Sequence, residues 1–179
     1  MALDDYKRKR NFKQTPEPKA AVKPRTNARK PIFVIQEHHA SRLHWDFRLE
    51  HKGVLKSWAV TKEPTLDPAV KRLAVQVEDH PIAYAKFHGD IPSGYGAGHV
   101  EIWDHGTFTP HHDMDESLTS GKLTFDLHGK KLHGAFALVK THWAARSGGK
   151  ENWLLMKMKD ADAKPGSAPP DRKSYTDHP

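Results

Sequence analysis

Apolar and polar positions along this chain fall into short runs broken by turn residues. Residues 32–36 (IFVIQ) form a compact apolar run. Residues 44–50 (HWDFRLE) alternate strictly, which sends Trp45, Phe47 and Leu49 to one face and His44, Asp46, Arg48 and Glu50 to the other. Further strand-like runs lie at 54–60, 73–79, 99–103, 122–128, 132–140 and 152–158, with Gly53, Gly106, Gly121, Gly129 and Gly148-Gly149 between them. The runs at 122–128 and 132–140 are close enough to pair as a hairpin through His128-Gly129-Lys130-Lys131. Long helical periodicity is missing; short helical turns are expected at 67–71 and 114–119. Many short strands at close spacing predict an all-β protein: a small closed or nearly closed β-barrel of about eight strands, with a sandwich as the alternative.

Composition sharpens this picture. A chain of 179 residues suits one domain with tails, and it has no cysteine, which excludes disulfides, thiolate nucleophiles and Cys-ligated zinc. No apolar run approaches the roughly 20 residues of a membrane span, and the first residues lack the apolar stretch of a signal peptide. A soluble intracellular protein is expected. The net charge of +7 is confined to residues 1–30, which hold ten Lys/Arg and three acids; residues 31–179 carry 19 charges of each sign. With Pro16, Pro18 and Pro24 and little apolar content, residues 1–30 read as a basic flexible arm, either solubilising or lying on phosphates. The folded domain is expected over 31–159, and 160–179 reads as a second flexible tail.

Histidine carries the candidate chemistry. In 36–50 (QEHHASRLHWDFRLE), His44 and Asp46 are two apart on a strand and point the same way, while His38 precedes them across a short connector that can fold back. Two neutral imidazoles and a carboxylate suit manganese, iron or zinc and leave positions for water and substrate. Arg48, next on that face, would clamp a phosphate beside such an ion. A face bearing four polar residues is odd as core, because each buried polar group needs a partner, but ordinary if it is simply wet. A second cluster follows: Glu78 and His80 share a strand face with Ala74 and Gln76, and Tyr84 comes after a bend at Pro81. His80 could hold a phosphate oxygen or move a proton, Tyr84 could donate a hydrogen bond, and Lys62 and Arg72 could add cationic contacts. Each also has a structural reading, as a solvated cation, an ion-pair partner or a rim aromatic. The glycine-rich 92–98 (PSGYGAG) lacks a following GKT or GKS and reads as a tight turn whose backbone comes near a ligand.

These residues resemble a known family. The stretch FVIQEHHASRLHWDFRLEHKGVLKSWAVTKEP, followed by LDPAVKRLAVQVEDHPIAYAKFHGDIPSGYGAGHVEIWDHGTF, is similar to the 3′-phosphoesterase domain of bacterial DNA ligase D, from about Tyr6 to about Lys159. The resemblance implies a small β-barrel with a polar groove, in which His38, His44 and Asp46 bind a divalent metal. Manganese is the favoured ion, with zinc or cobalt as alternatives. Arg48 and His80 would hold the phosphate, Tyr84 would serve activity, and Lys62, Arg72 and Glu78 would support the site. The implied activity is 3′-end healing in double-strand-break repair: removal of a terminal ribonucleoside, then of the 3′-phosphate, to leave a 3′-hydroxyl. The implied partners are DNA or DNA/RNA 3′ ends, with ligase, polymerase and end-binding repair proteins in trans, and the expected location is cytoplasmic, associated with the nucleoid. Three rival readings stay open. One is a non-haem iron oxygenase using His44 and Asp46 with His99 or His128. Another is a nucleic-acid-binding barrel without turnover. The third is a structural histidine-rich barrel with no ligand.

Overall fold

The alternating run places one apolar face in the interior of a closed sheet. The structure is a computed structural model; it describes residues 2–21, 29–141 and 151–170. Its strands are β1 (Ile32–His39), β2 (Leu43–His51), β3 (Val54–Val60), β4 (Lys71–Pro81), β5 (Gly89–Ile91), β6 (Gly98–Pro110), β7 (Lys122–His128), β8 (His133–Lys140) and β9 (Asn152–Lys157). Neighbours pair in the order β1-β2-β3-β4-β9-β8-β7-β6, and β1 then pairs with β6 to close an eight-stranded antiparallel barrel, leaving β5 as a short flap on β6. The barrel predicted from strand spacing is therefore present.

All eight expected runs are strands, and β3 and β7 keep the expected bounds. The helical turn expected at 114–119 is α2 (Met114–Ser120), whose start is capped by Asp113 accepting from the Glu116 amide. The segment 67–71 forms a turn without a helix, with Asp67 accepting from the Ala69 amide. Three elements had no periodic signal: β5, a 3-10 helix at Ile82–Lys86, and α1 (Asp4–Arg8).

The interior is filled by aromatic residues. Phe47 packs 6.5 Å from Trp58 and 6.0 Å from Phe125, and Trp58 lies 5.7 Å from Trp153, centroid to centroid. A second apolar layer sits outside the barrel wall, where Leu3 and Tyr6 meet Leu55, Ile82, Tyr84 and Val100. Part of the basic N-terminal segment thus has a defined place. Tyr6 is fully buried there and donates its hydroxyl to the Pro18 carbonyl. The segment's own composition gives no reason for order; docking supplies the apolar partners it lacks. The residues just after β9 also pack, with Asp160 accepting from Lys157 and from the Ala135 amide. Residues 22–28 and 171–179 of the two expected tails, and the Gly148-Gly149 turn, lie outside the described residues. Among the described residues, no helix is long and apolar enough to cross a membrane.

Candidate metal and phosphate site

Because the interior is full, chemistry must lie on the outer face, and β2 supplies it. Trp45, Phe47 and Leu49 point inward, while Asp46, Arg48 and Glu50 point outward yet are buried. The polar face is neither core nor simply wet. Glu50 is satisfied by Arg29 through two bonds of 2.6 and 2.8 Å and by the Ile32 amide.

His38 precedes β2 across the connector 40–42, which folds back. It stands on β1 directly opposite His44, with Gln36 opposite Asp46. His38 donates Nε2–H to the Gly96 carbonyl at 2.7 Å, and His44 donates Nδ1–H to the Arg42 carbonyl at 3.0 Å. The remaining nitrogens, His38 Nδ1 and His44 Nε2, each lie 3.1 Å from an Asp46 carboxylate oxygen. One ligand atom from each of the three residues falls within 4.8 Å of the others. Burial opposes protonation of His44, but the Asp46 charge and the Arg42 carbonyl outweigh it and raise its pKa. Burial would raise Asp46, yet His44, Arg48 and His38 hold it well below the usual carboxylate range. The carboxylate is ionised and faces two inner nitrogens whose outer partners are already fixed. That donor set fits a divalent cation, since neutral imidazoles would otherwise set lone pairs against carboxylate oxygens.

Arg48 is locked beside this group. Its Nε donates to Gln36 at 2.7 Å and its Nη1 to Ser57 at 2.9 Å, while Nη2 sits 3.5 Å from Asp46. Gln36 in turn donates to the Tyr84 and Phe87 carbonyls, which ties Arg48 to the 3-10 helix.

A bulge brings in the second cluster. Leu55 pairs with His80 but Ser57 pairs with Val77, so β4 carries one extra residue between those points. Gln76 faces inward and accepts from the Trp153 indole, whereas Glu78 and His80 face outward. The expectation that Glu78 and His80 share a face with Ala74 and Gln76 is corrected by this slip. His80 is buried and donates Nδ1–H to the Glu78 carbonyl at 2.9 Å, so its Nε2 accepts from Arg10 at 3.3 Å. Burial, then the Arg48 and Arg10 charges, keep His80 neutral by holding its pKa well below the ordinary value. Tyr84 donates to Glu17 at 2.7 Å, and burial pushes its pKa up.

The N-terminal segment supplies residues that the sequence reading did not single out. Arg10 bonds Glu17 at 2.8 Å and Glu78 at 3.2 Å. Burial would raise Glu78, but its own amide, Lys9 and Arg10 lower it. Arg10 and Glu17 carried no periodic signal, because they lie in a stretch that reads as solvated. Gln36 could have been found, two positions before His38 on one face.

His38, His44, Asp46, Arg48, Glu78, His80 and Tyr84 all line one cavity of about 270 Å³ together with Arg10 and Glu17. Its charged lining has one carboxylate more than it has guanidiniums, so a divalent cation would turn it from anion-repelling to anion-attracting. Lys62 and Arg72 do not join it. Lys62 is exposed in the turn after β3, and Arg72 donates to the Glu63 carbonyl near the start of β4. The alternative third ligands are also elsewhere: His99 engages Asp90 and Glu101, and His128 engages Thr109.

Comparison with known proteins identifies a family. The family described as DNA Ligase D 3′-phosphoesterase domain matches residues 36–140. The chain is 54% identical over 164 residues to the multifunctional non-homologous end joining protein LigD of Pseudomonas aeruginosa, covering 90% of this chain and 19% of that protein. It is 45% identical over 159 residues to the multifunctional non-homologous end joining DNA repair protein LigD of Mycobacterium tuberculosis, covering 88% and 20%. The Mycolicibacterium smegmatis protein is 45% identical over 165 residues, with 88% and 21% covered. The chain thus spans about a fifth of the length of the curated relatives it matches. With a match over more than half its length, the chain belongs to the DNA ligase D 3′-phosphoesterase domain family.

Proposed function

We propose that this protein is a divalent-metal-dependent 3′-end-healing phosphoesterase. It removes a 3′-terminal ribonucleoside as a phosphodiesterase and a 3′-phosphate as a phosphomonoesterase, leaving a 3′-hydroxyl for ligation during double-strand-break repair. The observation that carries the reading is the convergence of His38 Nδ1, His44 Nε2 and the Asp46 carboxylate beside a locked Arg48 in one cavity. Manganese is the proposed ion, and zinc or cobalt suit the same donors. The ion, when bound, supplies Lewis-acid polarisation of a phosphate oxygen.

The chain's own residues do the rest. Arg48 spends Nε and Nη1 on Gln36 and Ser57, which leaves its Nη2 side as the preorganised donor to charge building on phosphate oxygens. His80 enters the reaction neutral, with its Nε2 lone pair toward Arg10; that nitrogen is placed to accept a proton, and it donates to a phosphate oxygen only after doing so. Tyr84 acts by orienting Glu17, and Glu17 with Glu78 fixes Arg10. Lys62 and Arg72, outside the cavity, are proposed to act at most on nucleic acid farther from the scissile phosphate. Strand ends would come from ligase, polymerase and end-binding partners at the nucleoid.

The test is incubation with Mn²⁺ and a labelled primer–template ending in one ribonucleotide, with products resolved by size and end group. The expected sequence is a shortened primer with a 3′-phosphate, then a 3′-hydroxyl, both lost in His44→Ala. A His44→Ala protein as active as the parent overturns the ligand assignment.

A further inference from the structure

The metal cavity has a small neighbour. A second cavity of about 170 Å³ lies between the N-terminal segment and the 93–95 loop, and it shares Arg10, Glu17 and Tyr95 with the first. It is too small for a whole strand, and its remaining lining is mostly neutral, with Asn11, Gln14, Thr15 and Ser93 offering amides and hydroxyls. Tyr95 stands at the junction. It is 42% exposed, the one Tyr, Phe or Trp left largely open among the described residues.

The ring is not loose. Gly94 and Gly96 flank it with φ of 82° and 76°, conformations that favour glycine, and a turn closes from the Ala97 amide to the Gly94 carbonyl. Its hydroxyl donates to Glu78 at 3.3 Å, and Lys9 stands 4.7 Å from the ring centroid. A fixed, half-exposed aromatic beside cations, opening onto a polar recess, is the chemistry that receives a nucleoside: ring on ring, with hydrogen bonds to sugar and base edges.

We infer that this recess is the subsite for the leaving ribonucleoside, with Tyr95 as its stacking platform. The inference rests on the proposed function and adds which side of the scissile phosphate the recess serves. A strand that continues past the site needs an open exit, whereas a departing nucleoside is a single unit and fits a recess. The two reactions then differ. Ribonucleoside removal places a base on Tyr95; 3′-phosphate hydrolysis places nothing beyond the phosphate.

The experiment compares Tyr95→Ala with the parent on two primer–templates, one ending in a ribonucleotide and one in a 3′-phosphate. Loss of one stacked base predicts that the ratio of ribonucleoside removal to phosphate hydrolysis falls by roughly five- to a hundredfold. Tyr95→Phe, which keeps the ring and loses the bond to Glu78, should keep the parent ratio. Equal losses on both substrates, or an unchanged ratio, overturn the subsite and leave Tyr95 as a support for Glu78. A binding arm separates this from failure of the underlying reading. In fluorescence anisotropy without turnover, the parent should hold the ribonucleotide-ended primer several-fold tighter than the phosphate-ended one, and Tyr95→Ala should lose that preference. A parent that cleaves neither primer overturns the proposed function; if it also shows no binding preference, the subsite falls with it.

Discussion

Replacing Arg10 with methionine tests whether the N-terminal segment is part of the site. The guanidinium is nearly fully buried, and it faces Glu17 and Glu78, whose side chains are each 1% exposed. Removing one partner of a buried ion pair costs ~3–5 kcal/mol, because the other charge stays buried. Here both carboxylates keep other donors. Lys9 remains 3.2 Å from Glu78, while Tyr84 and Thr15 remain 2.7 and 2.9 Å from Glu17. The lower end of that range applies, which for a chain of this size lowers the melting temperature by about 6–12 °C. The cost has a second outlet, since residues 2–21 can undock from a barrel that stays closed. Thermal denaturation should therefore be read beside trypsin cleavage between Lys7 and Lys13. Arg10→Met should lower the melting temperature, speed cleavage, or both. The pH response has a definite sign. Without Arg10, Glu78 loses one of the charges that lower its pKa, so the folded variant binds a proton before the folded parent does, and its deficit against the parent narrows as pH falls into the carboxylate range. Adding Glu78→Gln should recover part of the loss at neutral pH. An Arg10→Met protein with unchanged melting and unchanged cleavage would show that the buried network carries no weight.

Three other perturbations probe separate parts of the molecule. Gly96→Ala forces a side chain into φ 76° and brings its Cβ to 3.4 Å from His38 Cε1, so Mn²⁺ affinity measured by titration calorimetry should drop about 10–100-fold as His38 loses its orienting carbonyl. His80, faced by Arg48, Arg10, Asp46, Ser57, Tyr6 and Tyr84, has a folded pKa below its unfolded value of about 6.5. Its contribution is therefore whole above that pH and is lost as pH falls toward the folded pKa, so urea denaturation from pH 8 to 5 should show a slope that His80→Gln makes shallower. Phe47→Ala opens the centre of the aromatic interior and should cost ~3–5 kcal/mol in the same assay.

The barrel was legible because its signal is local. Alternation at 44–50 separates Phe47 from Arg48 without any tertiary knowledge, and the strand count follows from spacing. The triad was half legible: His44 and Asp46 share a face by period two, but His38 joins them only through the register of β1 against β2, which no single run encodes. Period two failed outright at β4. One extra residue between Val77 and His80 reverses the face, so Glu78 and His80 leave the side of Gln76 and join that of Arg48. Lys62 and Arg72 join the site in the sequence by their charge and by the family resemblance, whereas in the structure they lie outside the cavity. Arg10 and Glu17 were hidden for the opposite reason, since their segment is ordered by what it packs against rather than by its own pattern.

Those two illegible features explain where the site is. A filled eight-stranded barrel has no room inside for a ligand, so the candidate site must be made on its wall. A bare wall is wet, and a wet Arg48 would be mobile and screened. The 3-10 helix and the N-terminal segment cover it, the bulge turns His80 and Glu78 into the covered space, and Arg10 balances the carboxylates that orient it. Each alone leaves a buried charge unmet. Together they convert the polar half of an ordinary alternating strand into a low-dielectric pocket whose fixed cations would act strongly on a phosphate bound there, as proposed.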